Sequence, residues 1–265
     1  MLKKPTKLKR GDTVATVSPS WGGAGEQELR WRYDLGVKRL EEVFGLNVVA
    51  MPNSLKGAQY VYEHPEARAQ DLMDAFKDPT IKAIITNIGG EDSVRLLPYI
   101  DFDVIRDNPK IFMGYSDTTI AHLFCLKAGV SSFYGPAILV DFAENVEMNP
   151  YTIESIERTL FSTDIIGEIF PAPKWTSQFL EWSQSNKSTH RTMKNNKGYE
   201  LLRGSGKVQG RLLGGCIEVL AFVNGTELWP EKKMWQDRIL FFETSEEKPT
   251  PSNVRYWLRN YALQG

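Results

Sequence analysis

Short β-branched runs alternate with stretches of helical period along the first half of the chain. Thr13 to Val17 reads as a strand ending in the loop Ser18-Pro19-Ser20-Trp21-Gly22-Gly23-Ala24-Gly25. Leu29, Tyr33, Val37, Leu40 and Phe44 then recur at three- and four-residue steps, which predicts one apolar stripe of an amphipathic helix. Asn47 to Ala50 is the next predicted strand. A helix follows from Pro65, a residue suited to a first helical position, to Phe76, and Asp78-Pro79 closes it. Ile81 to Thr86 is an apolar run of the kind shown by a parallel strand covered on both faces, and Lys110 to Met113 is another strand. The order β-α-β-α-β, with glycine-rich loops at strand ends, predicts an α/β fold. Its wound parallel sheet would have flavodoxin-like or Rossmann-like layering and bind ligands at the strands' carboxyl ends.

After about Phe161 the pattern changes. Asp164 to Phe170 is a predicted strand, and residues 174–198 form a polar stretch carrying Trp175, Trp182 and His190 without sustained apolar period. The expectation there is a long surface excursion, a kind of loop that is generally functional or disordered. Gly210 to Gly215 leads to an apolar helix from Ile217 to Val223, then a strand from Arg238 to Phe242. The last helix starts at Thr250-Pro251 and carries Val254, Trp257, Leu258, Tyr261 and Ala262 on one stripe. This organisation predicts an N-terminal α/β domain over residues 1–162 and a smaller α/β domain over 163–265. In a wound sheet another strand would follow the last helix, so the second domain is expected to be incomplete at Gly265.

Charge narrows the partners. With 32 Lys and Arg against 33 Asp and Glu, the formal charge is −1, so no overall field draws the chain to a nucleic-acid polymer or to anionic lipid. Hydrophobic residues make up 42%, enough for a packed core and too many for wholesale disorder. Apolar runs such as Ala137 to Val140 fall far short of the ~18 residues of a membrane span, and the segment after the basic N-terminus is too short and polar for a signal-peptide core, so a cytoplasmic location is expected. Cys125 and Cys216 have no metal-binding spacing, and neither a disulfide framework nor a metal site is expected.

Ser116 carries the strongest chemical signal. A strand ending in Gly114-Tyr115-Ser116-Asp117-Thr118-Thr119 and running straight into a helix pattern would place the hydroxyl on a sharp turn at the top of the sheet. The N–H of Asp117 would then face the space where an oxyanion forms. The alternative is a serine that merely caps the helix, and Thr118 stands where the usual elbow has its second glycine. Gly89-Gly90, at the neighbouring strand end, would let main-chain N–H groups approach a ligand, or would simply make a tight turn. A serine nucleophile needs a base, normally a histidine oriented by a carboxylate. Of the three histidines, His122 lies six residues along the same helix and points away from Ser116. His64 precedes a helix-starting proline, and His190 sits in the polar excursion.

Gly89-Gly90-Glu91-Asp92-Ser93, Gly114-Tyr115-Ser116-Asp117-Thr118-Thr119, Gly210-Arg211-Leu212-Leu213-Gly214-Gly215 and Phe241-Phe242-Glu243-Thr244-Ser245-Glu246 occur in the order of the signatures of the L,D-carboxypeptidase family of serine peptidases. The chain resembles that family from Gly11-Asp12-Thr13-Val14-Ala15 to its end. The resemblance implies a Ser-Glu-His triad with Ser116 as nucleophile, Glu243 as the carboxylate, and the Gly90 and Asp117 N–H groups as the oxyanion hole. Without the resemblance, Glu243 reads as one solvated member of the acidic run Glu243, Glu246, Glu247. The family histidine belongs to a Gly-His motif beyond a further strand. Nothing in this sequence matches it, so the triad is expected to lack its base within these residues. The Trp-bearing excursion resembles the microcin C self-immunity branch of the family, which implies that Trp182, or secondarily Trp175, stacks on a nucleobase.

The expected function is therefore a serine hydrolase without metal or organic cofactor. It would cut an amide-type bond in an aminoacyl-nucleotide of the microcin C kind or in a murein tetrapeptide. The family implies a homodimer. The rival expectation is a catalytically incomplete binding protein or fragment that holds a peptide or nucleotide without turnover. A phosphate-binding loop at Ser18 to Gly25 or Gly89-Gly90 is a third reading, although both G-x-G-x-x-G and the Walker lysine are missing.

Overall fold

A computed structural model describes residues 2–264. Five parallel strands form the main sheet: β1 (Thr13–Val17), β2 (Asn47–Ala50), β3 (Ile81–Thr86), β4 (Ile111–Gly114) and β5 (Phe133–Tyr134), in the spatial order β2-β1-β3-β4-β5. This is the flavodoxin-like order, and its topological switch lies between β1 and β3. The registers place Val17 beside Thr86 and Ile85 beside Met113, so the carboxyl ends of β1, β3 and β4 come out side by side.

Both faces of the sheet are covered, as the apolar character of β3 and β4 requires. On one face lie α1 (Arg30–Glu42), α6 (Pro150–Leu160) and a wide π-helical turn over Ile138–Phe142, which bury Tyr33, Leu40, Phe142, Ile156 and Leu160. A Cβ at Gly36 of α1 would lie 2.8 Å from the Ile138 main-chain oxygen, so glycine there lets the helix approach the π turn. The other face holds α3 (Pro65–Lys77), α4 (Phe102–Asp107) and α5 (Thr119–Lys127), with a short α2 (Ala58–Glu63) leading into α3.

The predicted strand over Asp164 to Phe170 does not form. No neighbouring strand offers it a ladder, and Ile165, Ile169 and Phe170 stand 97%, 57% and 60% exposed. The polar stretch that follows is irregular apart from one antiparallel pair, β6 (Lys174–Trp175) with β7 (Lys194–Asn195), and a single 3-10 turn over Gln184–Asn186. It is pinned to the body at a few points: Trp31 Nε1 donates to the Trp182 carbonyl at 3.2 Å, and Asn145 Nδ2 donates to the carbonyls of Asn186 and Thr189.

A second, smaller parallel pair joins β8 (Arg211–Cys216) to β9 (Arg238–Glu243), with Cys216 opposite Glu243. Between them run α7 (Ile217–Phe222) and α8 (Lys232–Trp235), and α9 (Pro251–Gln264) packs on α7 through the Tyr261 hydroxyl, which donates to the Ile217 carbonyl at 2.6 Å. Among the described residues no helix is long and apolar enough to cross a membrane.

Candidate functional site

Ser116 follows Tyr115, the first residue beyond β4, and opens the turn into α5. Its φ of +61° is a left-handed conformation that L side chains rarely adopt. The surrounding structure enforces it. The Ser116 N–H donates to the Tyr134 hydroxyl at 2.9 Å, and its carbonyl accepts from Thr119 Oγ1 at 2.7 Å. Thr119 Oγ1 in turn accepts the Cys216 N–H at 3.0 Å, so the end of β8 is tied to the same turn. The serine side chain is half-buried, and Gly89 lies directly against it: a Cβ there would stand 3.0 Å from Ser116 Cβ and 3.2 Å from Oγ.

Gly90 is exposed, with φ +146°, and is packed against Ser20 and Trp21 of the loop after β1. Neither the Gly90 N–H nor the Asp117 N–H donates to any group among the described residues. Two free donors thus flank the strained serine, next to a glycine that leaves room for a ligand. The Asp117 side chain does not join them. It is fully buried beneath the turn, where Oδ2 accepts from Ser20 Oγ at 2.5 Å and from the Ser93 N–H at 2.8 Å.

Glu243, the last residue of β9, reaches the same centre indirectly. Its Oε1 accepts from the Tyr134 hydroxyl at 2.5 Å, so one phenol oxygen joins the Ser116 main chain to Glu243. Burial, and then this carboxylate, hold the Tyr134 hydroxyl well above the ordinary phenol range, and the tyrosine remains a donor at neutral pH. Burial and the neighbouring Glu243 push the Cys216 thiol up to about 12, which leaves it protonated and inert.

Among the described residues no imidazole hydrogen-bonds to Ser116 or Glu243. His122 donates Nε2–H to the Gly114 carbonyl and accepts from Ser132 Oγ, both at 2.8 Å. His64 pairs with Glu66, and His190 lines a cleft elsewhere.

That cleft, of about 570 Å³, opens between the π turn, the start of α6 and the irregular segment, with Asp141, Glu144, Tyr151, Trp175, His190 and Arg191 among its walls. Tyr115, next to Ser116 in sequence, feels the charge of Asp141, one of the cleft residues. Its hydroxyl is held far above the ordinary range by burial first, then by the carboxylates of Asp141 and Glu243. The two predicted tryptophans differ. Trp175 is 47% exposed and faces the cleft. Trp182 is packed onto the core, with the Arg32 guanidinium 4.8 Å from its ring centre.

Sequence reasoning missed Tyr134 and gave Ser20 and Ser93, though quoted in their loops, no individual role. Each follows a main-sheet strand or ends one, so a systematic reading of every carboxyl end would have raised them.

A flavodoxin-like sheet with a left-handed serine beyond β4 and two free main-chain donors beside it defines an α/β protein with a nucleophile-type elbow. The chain belongs to the LD-carboxypeptidase family: residues 14–135 match its N-terminal domain and residues 209–265 its C-terminal domain. It is 33% identical to the microcin C7 self-immunity protein MccF of Escherichia coli over 91% of this chain and 68% of that protein. It is 30% identical to a probable murein peptide carboxypeptidase of Bacillus subtilis over 93% of this chain and 66% of that one. Among solved structures, an MccF-like protein from Streptococcus pneumoniae in complex with AMP superposes with a TM-score of 0.88 at 36% identity, covering 96% of this chain and 79% of that one. MccF in complex with aspartyl sulfamoyl adenosine gives 0.82 at 29%, covering 99% and 76%. The chain spans about two thirds of the length of the two curated relatives.

Proposed function

We propose that the chain carries the nucleophile of a serine hydrolase that cleaves the bond between an aminoacyl group and a nucleotide-like sulfamate or phosphoramidate. Ser116 Oγ attacks the carbonyl, and the Gly90 and Asp117 N–H groups receive the developing oxyanion. Glu243, held by the Tyr134 hydroxyl, would orient a histidine base that takes the serine proton and returns it to the leaving sulfamate or phosphoramidate; among the described residues no histidine stands there. The observation that carries this reading is the strained Ser116 turn flanked by two unspent donors, a geometry that main-chain packing would otherwise not retain. The cleft suits a nucleoside, with Trp175 as the open stacking face, whereas Trp182 lines a smaller adjoining recess. AMP and aspartyl sulfamoyl adenosine bound to the similar proteins support that ligand class.

A binding role without turnover is the second reading. It is favoured by one observation: Glu243 is hydrogen-bonded to Tyr134, and no imidazole among the described residues contacts either it or Ser116. Incubation with an aminoacyl sulfamoyl adenosine and with a murein tetrapeptide, followed by mass spectrometry, separates the readings. Release of the free amino acid by the chain and its loss in Ser116→Ala is the expected result. Turnover of the tetrapeptide alone would overturn the substrate assignment, and binding of the nucleotide with no product would leave the second reading standing.

A further inference from the structure

The buried Asp117 carboxylate is the least explained group near the serine turn. Its side chain is fully buried, and among the described residues it pairs directly with no cation and its Oδ1 has no hydrogen-bond partner. Arg68, buried nearby, supplies positive charge through space without pairing with it, and a buried carboxylate with one oxygen unpartnered is still costly, so its persistence calls for a reason. Its contacts supply one. Through Oδ2 it holds Ser20 Oγ, in the loop after β1, and the Ser93 N–H, in the loop after β3, while its own carbonyl accepts from Ser93 Oγ at 2.7 Å. Gly90 lies between these anchors in sequence and in space. A Cβ on Gly90 would collide with Ser20 Oγ, and the Trp21 N–H donates to the Gly89 carbonyl at 3.3 Å. Arg68, also buried, holds the same two loops from behind, donating from Nη1 to the Pro19 and Ser20 carbonyls and from Nη2 to Asp92 Oδ2 at 2.7 Å.

From this geometry we infer that Asp117 is a positioning residue for the oxyanion hole. Its main-chain N–H is one donor, and its carboxylate, acting through Ser20 and Ser93, fixes the Gly90 turn that supplies the other. The separation of the two donors is then tied to one carboxylate that spans both loops, which Arg68 braces from behind. The inference rests on the serine-hydrolase reading and adds a role for Ser20, whose hydroxyl lies against Gly90.

The test removes the Ser20 hydroxyl and leaves Asp117 in place. A boronic acid adds reversibly to a serine hydroxyl, its boron taking up the Oγ lone pair as the proton leaves to solvent, and one oxygen of the resulting anionic tetrahedral adduct occupies the hole. Phenylboronic acid affinity, followed by boron NMR, therefore reads donor alignment, while AMP affinity by calorimetry reads the rest of the site. Misplacing a reacting group by about 1 Å can cost on the order of 100-fold, so Ser20→Ala is expected to weaken the adduct by about 10- to 100-fold. AMP affinity should stay within about twofold, and Ser20→Thr, which keeps the hydroxyl, should restore most of the loss. Amide exchange of peptides covering residues 88–93 should quicken in Ser20→Ala and not in Ser20→Thr. An adduct as tight in Ser20→Ala as in the unaltered chain, or parallel losses of boronate and AMP binding, would overturn the inference. Absence of any adduct in the unaltered chain would instead remove the nucleophile reading, and the inference with it.

Discussion

Acid should loosen the strand end that carries the serine turn, and His122 is the reason. Its ring is buried on α5 behind β4 and stands edge-on to Phe112 at 5.1 Å. Because the Gly114 carbonyl can only accept, Nε2 carries the proton, and Nδ1 accepts from Ser132. A second proton would put a charge where no carboxylate faces it, and burial lowers the pKa from 6.5 to about 4. The folded state therefore refuses a proton that the unfolded chain binds below pH 6.5. The stabilisation is fully present above pH 6.5 and is lost as pH falls towards 4, at about 1.4 kcal/mol per pH unit, or about 3 kcal/mol in all. Urea unfolding followed by tryptophan fluorescence between pH 7.5 and 4.5 measures it. The unaltered chain should lose about 2 to 3 kcal/mol over that range beyond the loss seen in His122→Gln, which cannot titrate. Carboxylates with lowered pKa, such as Asp78, contribute equally to both proteins. Parallel pH profiles for the two chains would refute the reasoning.

Tyr134→Phe removes the acceptor of the Ser116 N–H and the donor to Glu243 together. It should destabilise the chain by about 1–3 kcal/mol, seen as a lower urea midpoint, and any Ser116-dependent turnover should fall with it. Gly215→Ala would force a side chain into φ +140°, with its Cβ 2.6 Å from Thr119 Cγ2. A loss of about 1–3 kcal/mol is expected, together with weaker exchange protection in residues 115–119. Trp175→Ala should weaken AMP binding by about 1–3 kcal/mol in calorimetry, whereas Trp182→Ala should act mainly on the melting temperature, because Arg32 already covers that ring.

The main sheet was legible because its strands are short apolar runs joined by segments of clear helical period, and the α1 stripe through Tyr33, Leu40 and Phe44 is buried as its spacing predicts. The sharp turn at Ser116 was legible for a local reason: strand, turn and helix follow one another within a few residues. The strand expected at Asp164 to Phe170 fails because β-branched composition gives a preference, and a ladder needs a partner that no local pattern reveals. The π turn at Ile138–Phe142 also has no simple period. The links from Tyr134 to Glu243 and from Asp117 to Ser20 span 109 and 97 residues, so they exist only once the chain has folded. Trp182 and Trp175 looked alike in sequence, and only packing tells the covered indole from the open one.

The left-handed backbone at Ser116 sets two demands against each other at a single codon. Holding a residue other than glycine at φ +61° costs roughly 1–3 kcal/mol, which glycine would largely avoid. A library screened only for heat resistance should therefore accumulate glycine at position 116 and discard the hydroxyl early, whereas, on the proposed function, the same library filtered for bond cleavage should keep serine and find its added stability elsewhere in the chain.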